Sequence, residues 1–248
     1  MMNFLAPDSQ ALEVPVIIAH RGASGVAPEN TEVAIREALR MGAKVIEFDV
    51  RGTADGNLVL FHDDKLERLA GREGSIESIT LEEVSSLEVG KWFGDGSFDG
   101  EKVIDLAGAI RMCFEGGAIP LIERKSGEAA IYAEVIRSLG AEEKVIVQSF
   151  DWKFLEAFRE ELPKTPIGAL GSKTFSGDKV MQIESLKPEW VGWKFSDMTP
   201  PGLEMLNALG SRVALWTVND PEVASKWLEA GVDGIITDHP DKMLLLIE

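Results

Sequence analysis

Residues 45–51 read Val-Ile-Glu-Phe-Asp-Val-Arg, a β-branched and aromatic run with an ionisable group at every second place. In a strand, successive side chains alternate between faces, so Glu47, Asp49 and Arg51 share one face and Ile46, Phe48 and Val50 the other. The apolar set suits packing against helices, which turns the two acids toward the interior. Buried carboxylates this close repel one another and are costly to desolvate unless something positive lies between them. A divalent cation meets that need, and oxygen ligands favour Mg²⁺ or Ca²⁺. A salt bridge to Arg51 or Lys44 is the plainer alternative. A further acid stands in a matching place. In Ile119-Pro120-Leu121-Ile122-Glu123-Arg124-Lys125, Glu123 and Lys125 share a face at the end of a strand. Glu123 can complete a carboxylate set and Lys125 can bind an anion, although taken alone they are ordinary rim charges.

The chain has three histidines, and two of them, His20 and His62, directly follow strand-like runs. Imidazoles with a reference pKa near neutrality can act as base and acid on opposite sides of one reaction. Arg21, beside His20, offers the planar fork that grips phosphate in bidentate fashion. His239, in Thr237-Asp238-His239-Pro240, reads as a turn residue, and Cys113 as a core residue on a helix face. Neither is assigned to chemistry.

These residues need a scaffold, and composition limits which. The 248 residues are 45% hydrophobic and 27% charged, which fits a folded globular protein and is too apolar for disorder. A net charge of -17 argues against a nucleic-acid partner and against resting on an anionic membrane. It leaves a small phosphate substrate open, since a metal and a few cations can reverse the sign inside one cleft. The single cysteine excludes an internal disulfide and a cysteine-based zinc site. Residues 1–15 lack a basic and an apolar leader segment, and no run approaches the roughly 20 apolar residues of a membrane span, so a cytoplasmic location is expected.

Strand-like runs at residues 16–19, 45–50, 58–61, 119–122, 145–147, 167–170, 190–193, 213–216 and 234–236 alternate with segments of helical periodicity. Gly42, Gly116, Gly140, Gly210 and Gly231 stand where helix stops are expected. Asn30 or Thr31, Asp151, and Asp220 with Pro221 mark starts. Repeated strand–helix–Gly–strand units imply a parallel sheet with helices outside it, and about eight in about 250 residues is the size of a (β/α)₈ TIM barrel. Nine runs are one too many. Residues 52–57 are too short for a crossover helix between the second and third, so one of the nine is not a regular barrel strand. An open doubly wound sheet is the alternative, but Gly22-Ala23-Ser24-Gly25 lacks the full G-x-G-x-x-G and no Gly-Lys-Ser/Thr loop occurs. Residues 63–102 break the rhythm with six glycines and one short helical pattern over 81–87. That is too long for a plain connection, and is read as a small rim insertion in a single domain spanning 1–248.

Taken in order, His20-Arg21-Gly22, Pro28-Glu29-Asn30-Thr31, Ile46-Glu47-Phe48-Asp49-Val50, Thr53-Ala54-Asp55-Gly56 and Phe61-His62-Asp63-Asp64 resemble the glycerophosphodiester phosphodiesterase family. The likeness continues through Gly90-Lys91-Trp92-Phe93, Ile122-Glu123-Arg124-Lys125, Gln148-Ser149-Phe150, Trp216-Thr217-Val218-Asn219 and Asp233-Gly234-Ile235-Ile236-Thr237-Asp238. The resemblance implies a distorted (β/α)₈ barrel with a rim insertion and one divalent cation, Mg²⁺ or Ca²⁺, on Glu47, Asp49 and Glu123. It implies His20 as base, His62 as the acid that protonates the leaving alcohol, and Arg21 and Lys125 as phosphate holders. Trp216 would wall the pocket against glycerol. The substrate would be a small glycerophosphodiester, giving sn-glycerol 3-phosphate and an alcohol such as choline or ethanolamine, a reaction of lipid and glycerol metabolism. Water, or first a neighbouring glycerol hydroxyl giving a cyclic phosphate, would be the nucleophile. The chain departs from the family pattern at Val103-Ile104-Asp105-Leu106-Ala107, where a Glu common near Ala107 is missing, and at Ile122 and Arg124. None of these is a carried-over catalytic position.

Two rivals follow from the same residues. A related phospholipase acting on lysophospholipids or phosphoinositides would use Trp92, Phe93 and Phe98 as an apolar rim, which the net charge disfavours at an anionic bilayer. A barrel that binds a phosphodiester without cleaving it would be expected to lack one of these groups, and all are present. Oligomeric state is not legible in the sequence.

Overall fold

The computed structural model describes residues 8–173, 175 and 177–247, so part of the stretch read as free of a leader, residues 1–7, lies outside the described residues. Its strands are β1 (Val16–Ala19), β2 (Val45–Gly52), β3 (Leu58–Leu60), β4 (Ile119–Arg124), β5 (Ile146–Ser149), β6 (Ile167–Gly171), β7 (Trp190–Lys194), β8 (Arg212–Trp216) and β9 (Gly234–Thr237). Eight of them pair in parallel in the order β1-β9-β8-β7-β6-β5-β4-β2, and β1 also pairs with β2, closing the ring. The fold is a (β/α)₈ barrel. The ninth run is β3, which pairs antiparallel with β2 through a tight turn in which the Thr53 N–H donates to the Asn57 carbonyl at 2.8 Å. A hairpin needs no crossover helix, which is why five residues suffice there.

The helices are α1 (Glu32–Arg40), α2 (Glu67–Ala70), α3 (Leu81–Ser86), α4 (Leu106–Glu115), α5 (Ala129–Ser138), α6 (Trp152–Glu161), α7 (Gly177–Leu186), α8 (Pro200–Ala208), α9 (Pro221–Glu229) and α10 (Pro240–Met243). Thr31, not Asn30, caps α1, its hydroxyl accepting from the Ala34 N–H, while Asp151 and Asp220 cap α6 and α9 as expected. α4 stops where expected, at Glu115 with Gly116 as its C-cap. Gly117, next in the chain, takes the left-handed conformation (φ 72°), and a Cβ on Gly116 would press on the tip of the Leu39 side chain at 2.3 Å.

The period of two sorts the strand residues as expected. Ile46, Phe48 and Val50 face outward into the layer shared with the helices, whereas Val45 joins Val16, Ile18, Ile119, Leu121 and Ile146 inside the barrel. The inner faces of β1, β2 and β4 are thus apolar at their N-terminal ends and polar at their C-terminal ends: Ile18 then His20, Val45 then Glu47 and Asp49, Leu121 then Glu123. The apolar floor keeps water out from below, which fixes the open end as the place for chemistry. Residues 63–102 carry α2, the 3₁₀ turn Ile76–Ser78 and α3, and bury a separate cluster around Phe61, Leu66, Leu69, Ile76 and Val84.

The turn after β1 has little freedom. Gly22 has φ 79°, donates its N–H to the Glu47 carbonyl at 3.2 Å, and would place any Cβ 2.6 Å from the Ala34 backbone. Left-handed backbone and overpacking each cost a side chain about 1–3 kcal/mol, so Gly22→Ala is expected to lower unfolding free energy by about 3 kcal/mol in a urea titration. A loss below about 0.5 kcal/mol, the scale of a neutral surface change, would contradict this packing.

Candidate active site

At the C-terminal ends of the barrel strands lies a cavity of about 250 Å³. Its walls include His20, Arg21, Glu47, His62, Glu123 and Lys125 on one side and Phe150, Leu170, Trp216 and Ile236 on the other. The residues singled out in the sequence therefore meet in one place, with Asp49 buried against Arg21 and Lys125.

Glu47, Asp49 and Glu123 each offer a carboxylate oxygen within 4.8 Å of the others, and all three are buried. The cations that answer them are not Arg51 or Lys44. Arg51 turns outward to the His62 carbonyl and Glu77. Lys125 Nζ instead bridges Glu123 and Asp49, 3.1 Å from Asp49 Oδ1, and Arg21 Nε stands 3.0 Å from Asp49 Oδ2 without hydrogen-bond geometry. Arg21 is shared, because its Nη1 donates to Glu29 at 2.8 Å. Three carboxylates thus face less positive charge than they carry. Burial, then the charges of Asp49 and Glu123, raise Glu47 well above the usual carboxylate range. Burial and Asp49 push Glu123 up to about 7 against the pull of Lys125. Burial also opposes ionisation of Asp49, but Arg21 and Lys125 outweigh it and hold this carboxyl low. Glu47 Oε1 is left buried with no hydrogen-bond partner. An orphaned carboxylate oxygen inside a hard-oxygen triad short of positive charge fits a divalent cation.

Both histidines are braced by an aspartate. His20 Nδ1 lies 2.6 Å from Asp238 Oδ1, and Asp238 also accepts from Ser24 at 2.9 Å and Asn219 at 2.6 Å. His62 Nδ1 lies 2.7 Å from Asp63 Oδ1, and Arg68 donates to Asp63 at 2.6 Å. The hydrogen bond from Arg68 holds Asp63 down at about 2, and those from His20, Asn219 and Ser24 overcome burial to hold Asp238 low. Ionised carboxylates only accept, so Nδ1 of each imidazole is the donor and Nε2 is the nitrogen left to exchange protons. His20 Nε2 is 4.0 Å from Glu47 Oε2. Burial lowers the His62 pKa, partly opposed by Asp49. His239, read as a turn residue, has no place in the cavity wall; its ring fills the space a Cβ on Gly25 would need, at 2.3 Å.

Several supporting residues were not assigned from sequence. Asn30 adopts φ 59° and clasps Asp49 twice, its Nδ2 donating to Oδ2 at 2.9 Å and its Oδ1 accepting from the Asp49 N–H at 3.0 Å. Glu29 receives Arg21 and Arg68 together, which ties α2 to the cation beside the triad. Periodicity has no reach across such sequence distances, and Arg68 in particular sits among ordinary surface charges. Asp238 was legible in principle, since it lies two residues beyond the inward Ile236 of β9.

The profile of the glycerophosphoryl diester phosphodiesterase family matches residues 20–242. A glycerophosphodiester phosphodiesterase of Caldanaerobacter subterraneus subsp. tengcongensis is 33% identical, the match covering 94% of this chain and 97% of that one. A phosphodiesterase of Oleispira antarctica, solved in complex with the product sn-glycerol-3-phosphate, superposes with a TM-score of 0.87 at 28% identity, covering 94% and 97%. A glycerophosphodiester phosphodiesterase of Agrobacterium tumefaciens gives 0.81 at 28% identity, covering 93% and 99%. Barrel, cavity and family profile agree over nearly the whole chain, which therefore belongs to the glycerophosphoryl diester phosphodiesterase family and is an enzyme of that class.

Proposed function

We propose that this chain is a metal-dependent cytoplasmic hydrolase that converts glycerophosphodiesters such as glycerophosphocholine and glycerophosphoethanolamine to sn-glycerol 3-phosphate and the free alcohol. One catalytic domain, with residues 63–102 as its rim insertion, carries the reaction. The observation that supports this most is the meeting of two aspartate-braced imidazoles and an undercompensated carboxylate triad in one small cavity. Glu47, Asp49 and Glu123 hold one Mg²⁺ or Ca²⁺, which supplies Lewis-acid stabilisation of phosphate charge when bound. Arg21 and Lys125 bind the phosphate and offset the negative charge that develops on its oxygens. His20, through Nε2, takes the proton of the attacking water or of a neighbouring glycerol hydroxyl. His62, through Nε2, gives its proton to the departing alcohol oxygen. Asp238 and Asp63 accept from Nδ1 of each ring and so keep Nε2 turned to the reaction. Trp216 walls the glycerol side.

The rival phospholipase reading draws on Trp92, 39% exposed, packed edge-on against Phe93, with Phe98 behind. Arg68 already occupies the Trp92 face, 5.7 Å from the ring centroid. A cavity of about 250 Å³ is also small against the roughly 300–1,000 Å³ typical of ligand sites, which favours a compact water-soluble diester over a lipid with acyl chains. Among the described residues, no helix is long and apolar enough to cross a membrane.

Purified protein is expected to release sn-glycerol 3-phosphate from glycerophosphocholine, to stop in EDTA, and to recover when Mg²⁺ or Ca²⁺ is returned. His20→Ala and His62→Ala are each expected to lower kcat by roughly 10²–10⁴ in a coupled glycerol 3-phosphate assay. Undiminished turnover in either variant rules out the paired-histidine scheme.

Metal affinity follows from the raised acids. A proton on Glu123 or Glu47 competes with the cation, so affinity is low below the Glu123 pKa of about 7 and rises as pH increases through it. Calorimetry at pH 6 and pH 8 in buffers of different ionisation enthalpy is expected to show proton release, greater at the lower pH. Binding independent of pH, with no proton exchanged, would mean that these acids are not the ligands.

A further inference from the structure

Arg68, on the single turn of α2, joins two carboxylates through one guanidinium. Its Nε donates to Asp63 Oδ2 at 2.6 Å and its Nη2 to Asp63 Oδ1 at 3.0 Å. On the other side Nη1 donates to Glu29 Oε2 and Nη2 to Glu29 Oε1, each at 2.8 Å. Asp63 Oδ1 is also the oxygen that faces His62 Nδ1 at 2.7 Å. The atom that orients the imidazole is therefore itself fixed by Arg68. The Trp92 ring covers the guanidinium, its centroid 5.7 Å from the central carbon.

Packing holds the backbone on both sides of this clamp. Phe61, Leu66 and Leu69 are buried in one apolar cluster, so their neighbours His62 and Arg68 start from a common base. Stability is a poor account of the clamp, because Arg68 is 42% exposed and ion pairs open to water contribute little. What two bidentate contacts supply is direction, which the point charge of a lysine does not. Buried Glu29 is the fixed end, since Arg21 holds it from the opposite side at 2.8 Å. Asp63 is the end that needs fixing: among the described residues its carboxylate meets only His62 and Arg68. Without Arg68 the aspartate is free to turn, and the imidazole turns with it.

Resting on the hydrolase reading above, we propose that Arg68 is the positioning residue for the acid. Anchored on Glu29, it locks the Asp63 carboxylate and so holds His62 Nε2 toward the oxygen of the departing alcohol. The rim insertion thereby contributes to proton delivery. Phosphate binding through Arg21, Lys125 and the triad is untouched by this role, so the effect falls on turnover rather than on affinity.

The test compares two substrates that differ in what the acid must do, with Mg²⁺ present. Choline needs a proton on its oxygen as the P–O bond of glycerophosphocholine breaks. The p-nitrophenyl ester of glycerol 3-phosphate releases a stable phenolate without one. Arg68→Met is expected to lower kcat on glycerophosphocholine by about tenfold or more, with KM within about threefold. On the nitrophenyl ester the same variant is expected to stay within about threefold, which also reports a folded site. Arg68→Lys, which keeps the charge without the fork, is expected to resemble Arg68→Met. In an Asp63→Ala background, removing Arg68 is expected to change kcat by less than about twofold, because the two residues act in one line. An equal loss on both substrates overturns the inference, since a residue that merely supports the fold or Arg21 would give it. Unchanged turnover of glycerophosphocholine, full recovery in Arg68→Lys, or losses that multiply in the double variant overturn it as well. Failure of the hydrolase reading shows separately, because the intact protein would then release glycerol 3-phosphate from neither substrate.

Discussion

Three carboxylates, drawn from two neighbouring strands, occupy one buried point at the end of a barrel, and most of the surrounding structure answers their mutual repulsion. Removing an ion from water costs several kcal/mol even after relaxation, and like charges a few ångströms apart add to that. Lys125 bridges two of the acids, Arg21 approaches one, and Asn30 donates a hydrogen bond to the Asp49 carboxylate while accepting one from its N–H. The compensation is incomplete, as the orphaned Glu47 Oε1 and the raised Glu47 and Glu123 indicate. A cluster tuned for stability alone would be fully paired or apolar. One left short of positive charge is the arrangement that the proposed cation site requires.

The same constraint accounts for features at a distance. Arg21 adopts φ 56°, an uncommon backbone for a residue with a side chain, and this lets its N–H reach Glu47 while its guanidinium faces Asp49 and Glu29. Glu29 in turn holds Arg68 of α2, which also braces Asp63 and through it His62. The 63–102 segment is therefore electrostatically continuous with the triad, and its apolar cluster anchors α2 in the place from which Arg68 can reach. Below the charges, the apolar interior from Val16 to Ile146 supplies the dry floor against which these interactions gain strength.

Strand periodicity carried much of this in the sequence. The alternation through residues 45–51 places Ile46, Phe48 and Val50 toward the helices and Glu47 and Asp49 inward, as observed. The odd ninth run was detectable from a loop too short for a crossover, and β3 is where the ring departs from regularity. Helix ends were less legible in detail, since the adjacent Gly116 and Gly117 look alike in sequence and only the second takes the left-handed turn. The partners of Asp49 could not be read locally either. Arg51 shares its strand face, yet Lys125 and Arg21 neutralise it, because closing the barrel brings β1 and β4 to either side of β2.

The claim on which the rest depends is that the triad holds a cation and that Lys125 must then yield its bridge. Anomalous diffraction from a crystal soaked in Mn²⁺ tests it directly. One anomalous peak ligated by Glu47, Asp49 and Glu123, with the Lys125 ammonium displaced toward the cavity, is the predicted result. Density showing no ion at the triad under saturating Mn²⁺, with Lys125 still joining Asp49 and Glu123, would contradict the account.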